Sequence, residues 1–166
     1  MSRYITVSLD KRGVSGVARL LDDAAPRTCA AVWDALPLSG QVFHGKYARN
    51  EIYTLLPGFT AVAPGKENTT VTPIPGDLCW FSFDSDDLGN PAYGYENTTG
   101  TGTTGAIVDL ALFYGRNNLL INGDQGWIPG NVFGTIVEGL DELAAACQDL
   151  WMGGVRGETL SFTRRD

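Results

Sequence analysis

The chain has 166 residues, 43% of them apolar and 19% charged, with a net charge of −7. That length suits a single domain over residues 1–166 with a sizeable core, and the composition is ordinary for a globular protein. No apolar run reaches the roughly 18 residues that cross a bilayer, the first residues carry no signal-peptide core, and so acidic a surface repels a phosphate backbone; the expectation is a cytoplasmic protein with no membrane or nucleic-acid partner.

The first predicted element is a strand over residues 4–9, where Tyr4-Ile5-Thr6-Val7-Ser8-Leu9 alternates with period two. Asp10-Lys11-Arg12-Gly13 reads as a turn, and residues 14–21 as the returning strand of a hairpin. A helix follows. Asp22 and Asp23 favour its positive end, Pro26 suits its first turn, and Cys29, Val32, Trp33 and Leu36 recur at spacings of three and four before Pro37 ends it. Trp33 reads as a core residue. Residues 40–47 and 51–56 are short strand candidates, and residues 77–83 are strongly β-prone.

A polar Gly/Thr/Asn-rich stretch over 84–105 reads as a long loop of the kind that usually serves a function. Its Asp84-Ser85-Asp86-Asp87 lacks the spacing of a calcium loop and reads as a solvated acidic turn. The run Gly100-Thr101-Gly102-Thr103-Thr104-Gly105 has neither the Lys nor the following helix of a phosphate loop. Residues 106–114 form a long apolar run that predicts a buried strand, and 131–137 predict the next. A second amphipathic helix starts at Gly139 and runs through Cys147. Gly153-Gly154 breaks the chain before a last strand over 159–163. Many short strands with two helices imply a barrel or a sandwich.

Cys29, Cys79 and Cys147 are odd in number, far apart and set among apolar neighbours, so each reads as a small buried hydrophobe. His44 is the single histidine and has no pair of cysteines or carboxylates beside it in the sequence; no metal and no cofactor are expected. The sequons at Asn68 and Asn97 carry no meaning for a cytoplasmic chain.

Two stretches resemble the cyclophilin family. Ala25-Pro26-Arg27-Thr28-Cys29-Ala30-Ala31-Val32-Trp33 is similar to the family's AP-x-T-x-x-N-F opening of helix one. Val132-Phe133-Gly134-Thr135-Ile136-Val137-Glu138-Gly139-Leu140-Asp141 is similar to its VFGKVVEGMD strand and turn. Leu36-Pro37, His44-Gly45 and Asn50-Glu51-Ile52-Tyr53 resemble more closely a bacterial group of cyclophilin-like proteins of unassigned function. The resemblance implies a mainly β fold: a closed antiparallel eight-stranded barrel with two capping α-helices.

The chain departs from the family where prolyl isomerase chemistry resides. Gly45 follows Phe43-His44 in place of the family's Arg, Ala111-Leu112-Phe113-Tyr114 lacks its Gln, and Gly130 stands in place of its His. Prolyl isomerisation takes tens to hundreds of seconds unaided, and an isomerase needs a donor aimed at the amide beside an apolar pocket. Phe43, Phe59, Phe113, Tyr114 and Trp127 are candidates for the pocket, and Arg49 or Arg116, neither in the family's register, for the donor.

The leading expectation is therefore a binding module. A groove on the barrel face would hold a small polar molecule or short peptide, with His44, Arg49, Glu51, Tyr53, Phe113, Tyr114, Arg116 and Trp127 as the site. Arg49 would be the donor, His44 a second polar contact, and Trp127 and Phe113 the walls. The alternatives are a weak or vestigial peptidyl-prolyl isomerase, an amide-processing enzyme, and a structural partner subunit that could also self-associate.

Overall fold

A computed structural model of the chain describes residues 1–88, 95 and 106–166. The opening hairpin forms as its alternation predicts: β1 (Tyr4–Leu9) buries Ile5, Val7 and Leu9 on one face and pairs antiparallel with β2 (Val14–Leu20). Gly13 supplies the positive φ of 64° that closes the turn. The expected strand over 40–47 divides into β3 (Leu38–Gln41) and β4 (Phe43–His44), because Val42 turns its N–H to the Glu158 carbonyl, 3.0 Å away. The remaining strands are β5 (Glu51–Pro57), β6 (Thr69–Thr70), β7 (Asp77–Asp84), β8 (Ala106–Phe113), β9 (Ile121–Asn122), β10 (Gly126–Trp127), β11 (Gly130–Glu138) and β12 (Thr159–Arg165).

One antiparallel sheet of ten strands runs β3-β12-β1-β2-β11-β7-β8-β5-β4, with β6 attached to β11; β9 and β10 form a separate two-stranded ribbon. The closed eight-stranded barrel is corrected on both counts. β3 pairs only with β12 and β4 only with β5, so the hydrogen-bonded ladder has two ends, joined by the chain itself at Val42. Gly40 shows how near those ends lie: a Cβ there would collide with the Thr54 side chain of β5.

Both helices contribute to the core that the inward strand residues form. From α1 (Pro26–Ala35) come Cys29 and Val32, and from α2 (Leu140–Gly153) come Leu143, Ala146, Cys147 and Leu150, packed with Ile5, Leu9, Phe133 and Phe162. α2 sits so close to β2 that a Cβ on Gly16 would stand 2.6 Å from Leu143 Cδ1. The acids expected at the start of α1 do not serve it. Asp22 is ion-paired with Arg3, and the Glu67 carboxylate, from a distant loop, accepts the Thr28 N–H (2.5 Å) and hydroxyl (2.7 Å). Trp33 is only half-buried, its ring stacked under the Arg3 and Arg164 guanidiniums. All three cysteines are free and buried. Asp84-Ser85-Asp86-Asp87 forms an acidic turn, in which Asp87 accepts the Asp84 N–H at 2.9 Å. Beyond Leu88 the expected loop, including Asn97 and the 100–105 run, lies outside the described residues apart from Tyr95. Among the described residues no helix is long and apolar enough to cross a membrane.

A second apolar cluster covers the outer face of β5, β7, β8 and β11, formed by Tyr53, Leu55, Cys79, Phe81, Ile107, Ala111, Phe113 and Val132. These strands are therefore buried on both faces, which explains why residues 51–56 show no polar alternation. The outer cover is the chain over 115–128, pinned by Asn118, whose side chain accepts the Asn50 N–H (3.0 Å) and donates to the Pro73 (2.9 Å) and Gly115 (2.8 Å) carbonyls.

Glu158 clamps the two ends of the chain together. Its fully buried carboxylate accepts the N–H groups of Lys11 (2.6 Å), Arg12 (3.0 Å) and Thr159 (2.9 Å) and pairs with the Arg12 guanidinium. Glu158→Ala leaves those donors without an acceptor. A loss of about 2–4 kcal/mol is expected, read as a fall in Tm of roughly 5–10 °C for a chain of this size; an unchanged Tm would contradict the clamp.

Candidate functional site

Period-two geometry sets the site. In the β5–β8 ladder Glu51 lies opposite Phe113, Tyr53 opposite Ala111, and Leu55 opposite Asp109, so Glu51, Tyr53, Leu55 and Asp109 all project to the outer face. Phe81 of β7 pairs with Asp109 and extends the same face. Over this floor stands the β9–β10 ribbon, which contributes Ile121, Asn122 and Gln125. Between floor and roof is a pocket of about 170 Å³, walled by Phe43, Phe81, Phe83, Leu120 and Ile128, with Lys46, Tyr47, Leu88 and Tyr95 at its sides.

The aromatic side chains order one another. Phe43 stacks on Tyr53 with ring centres 5.5 Å apart and meets Tyr95 edge-on at 5.1 Å, and the Tyr53 and Tyr95 hydroxyls are hydrogen-bonded. Burial holds the Tyr53 phenol well above its usual pKa, with Tyr95 adding to the effect.

Two carboxyls sit in this apolar surround. Glu51 and Asp109 are each only 7% exposed, and Asp109 Oδ1 is buried with no hydrogen-bond partner. Among the described residues neither is ion-paired with a Lys, Arg or His. Glu51 enters because Gly45 has no side chain: a Cβ there would lie 2.6 Å from Glu51 Oε1. Burial pushes the Glu51 carboxyl up to about 8. Burial raises Asp109 well above its usual value, and the neighbouring Glu51 raises it further.

His44 lies at one edge of the pocket. The Gly45 carbonyl can only accept, so Nδ1, 3.0 Å away, carries the ring proton, and Nε2 accepts the Tyr114 hydroxyl. Burial lowers the His44 pKa against the opposing pull of that carbonyl. Burial raises the Tyr114 phenol to about 12. Both ring nitrogens are thus engaged, and the histidine serves as a hydrogen-bonded strand residue.

Of the eight residues the sequence singles out, three line this pocket: His44, Glu51 and Tyr53. Phe113 lies on the same outer face but is wholly buried in the second apolar cluster and does not line the pocket, and Tyr114 is hydrogen-bonded to His44. Arg49 and Arg116 are exposed and line neither this pocket nor its neighbour, so neither is the donor expected there; Arg49 sits in a turn with φ of 85°. Trp127 is 58% exposed and lines an adjoining cleft of about 330 Å³, with Lys66, Trp80 and Asn131. Phe59 packs edge-on against Trp80 rather than in the pocket. Asp109 is not among the residues the sequence singles out; its signal is a lone acid in the middle of the most apolar run of the chain. Among the described residues no group of three or more His, Cys, Asp or Glu is placed to hold a metal ion.

The raised carboxyls make stability fall with pH. Glu51 binds a proton up to about pH 8 when folded but only to about 4.5 when unfolded, so the native state holds more protons between those values and loses stability as pH rises through them. Glu51→Gln should remove part of that slope and raise Tm at pH 8.5 relative to the parent by several degrees. A variant less stable at pH 8.5 than at pH 5, by the same margin as the parent, would contradict the assignment.

Solved structures share the fold. A structure described as McbB in complex with tryptophan aligns with a TM-score of 0.61 at 18% identity, covering 97% of this chain and 44% of that one. The chain thus spans less than half of McbB. The solution structure of the hypothetical protein AF2241 from Archaeoglobus fulgidus aligns with a TM-score of 0.52 at 18% identity, covering 99% and 95% of the two chains. Among curated proteins none matches the sequence. A family profile matches residues 7–162, nearly the whole chain, and on that ground the chain belongs to the family described as protein of unknown function DUF3830.

Proposed function

We propose that the chain is a cyclophilin-like small-molecule-binding domain whose ligand occupies the outer-face pocket between β5, β7, β8 and the β9–β10 ribbon. One observation carries this reading: the unpartnered Asp109 Oδ1 is buried at an apolar, aromatic pocket. A buried polar atom without a partner is costly, and native structures retain few of them. Apolar walls with a few convergent polar groups are the usual makeup of a small-molecule site. At about 170 Å³ the space suits a molecule of one or two rings, or a single side chain of a short peptide.

The isomerase reading has less support. Its amide-directed donor was to be Arg49 or Arg116, and both stand exposed outside the pocket. Among the described residues no guanidinium lines it.

A thermal-shift screen of small aromatic amines, acids and amides tests the reading. Tryptophan belongs in the panel because McbB, a protein of similar fold, is seen with it. A ligand at a hundred times its Kd adds about 2.7 kcal/mol, which raises Tm by roughly 5–10 °C. The shift should disappear in Ile128→Trp, which enlarges a half-buried side chain of the pocket wall. No stabilisation by any member of the panel, or equal stabilisation of the filled variant, would count against this site.

A further inference from the structure

We infer that the outer-face pocket selects small organic cations, a protonated nitrogen on an apolar or aromatic body, with the cation on Asp109 and Glu51 as the second negative charge on the floor. The inference rests on the pocket being a binding site and names the class of its ligand.

The argument begins from charge. Two carboxyls share one outer face of adjacent strands, each 7% exposed, and neither has a cation of the described chain paired with it. Asp109 Oδ1 has no donor at all. A neutral ligand with a single N–H would satisfy that oxygen but leave the second carboxyl unanswered. An ammonium or amidinium brings both a donor and a positive charge, and charge-assisted bonds of this kind are about twice as strong as neutral ones. The walls agree with this choice. Phe43, Tyr53 and Tyr95 form an ordered aromatic set beside the acids, and ring faces attract cations. A chain of net charge −7 also favours the approach of positive ligands.

The other titratable groups facing the pair do not replace the cation. His44 from β4 is held neutral, with both nitrogens engaged. Tyr53 of β5 is bonded to Tyr95. Cys79 of β7 is buried in the outer-face apolar cluster, outside the pocket lining, with its thiol raised by burial. Lys46 stands at the side of the mouth and Asp87 beyond Gln125, whose Nε2 donates to the Asp87 carbonyl at 2.8 Å. Burial disfavours the ionised form of both acids, so a cation that ionises them on entry releases protons. Its affinity therefore rises with pH toward about 8, where Glu51 ionises.

Isothermal titration of the full chain with benzamidine, a cation across this range, and with its neutral isostere benzamide reads the class directly. The expected result at pH 8.5 is that benzamidine binds at least about tenfold more tightly than benzamide, a preference worth about 1.4 kcal/mol. At pH 6 that advantage should shrink by about tenfold or more, and titrations in two buffers of different ionisation enthalpy should report proton release. Asp109→Asn should bring benzamidine to the level of benzamide measured in the same variant. Should that variant not fold, Glu51→Gln is expected to lower the preference in the same direction. If both probes bind with equal affinity, or benzamide binds more tightly, the cation inference fails while the binding site stands. If neither probe binds and the panel of aromatic amines, acids and amides also gives no thermal shift, both readings fall.

Discussion

The β5–β8 ladder is the constraint on which the rest depends. Its register puts Ile52, Thr54 and Leu56 on one face and Glu51, Tyr53 and Leu55 on the other, with Leu110 and Leu112 alternating against Asp109, Ala111 and Phe113. Because side chains alternate strictly along a strand, a slip of either strand by one residue would drive its acid into the main core and carry inner-face residues such as Leu56 or Leu110 to the outer face. The register is therefore fixed by burial on two sides at once. The inner face joins the core closed by the helices, and the outer face joins a second core under residues 115–128.

That double burial explains the unusual state of the acids. On an ordinary antiparallel sheet the outer face meets water, and Glu51 and Asp109 would be solvated carboxylates. Here the ribbon of β9 and β10 and the chain leading to it cover that face, and Asn118 holds the cover through three backbone groups. The same cover forms the roof of the pocket. Structure and chemistry are thus linked: what buries Phe113 and Ala111 also desolvates the carboxyls beside them. Gly45 completes the arrangement by leaving space for the Glu51 side chain.

Much of the fold is legible in the sequence, since β1, β2, β5, β7, β8, β11, α1 and α2 fall where periodicity and turn residues put them. The course of the sheet's ends is not. No local pattern tells that Val42 turns to Glu158 and divides β3 from β4, because the partner is over a hundred residues away. The site is legible only in part. Glu51 and Tyr53 were found through the Asn50-Glu51-Ile52-Tyr53 resemblance. Asp109 was hidden in an apolar run read simply as a buried strand, although a lone acid in such a run has to be neutralised, partnered or used. Arg49 and Arg116 were chosen for their chemistry, but sequence spacing does not say which way a turn faces, and both turned to solvent. Trp127 is exposed on the ribbon and lines the adjoining cleft instead.

The central claim is that Glu51 and Asp109 are buried, coupled acids on the outer face of the sheet. Carboxyl-carbon NMR titration of the full chain measures it most directly. The Glu51 resonance should titrate near pH 8 and the Asp109 resonance well above the ordinary carboxylate range, each responding to the other's ionisation, and replacing either acid by its amide should shift the remaining one downward. If every Asp and Glu carboxyl titrates below about pH 5.5, the two acids are solvated and the account of the pocket is wrong.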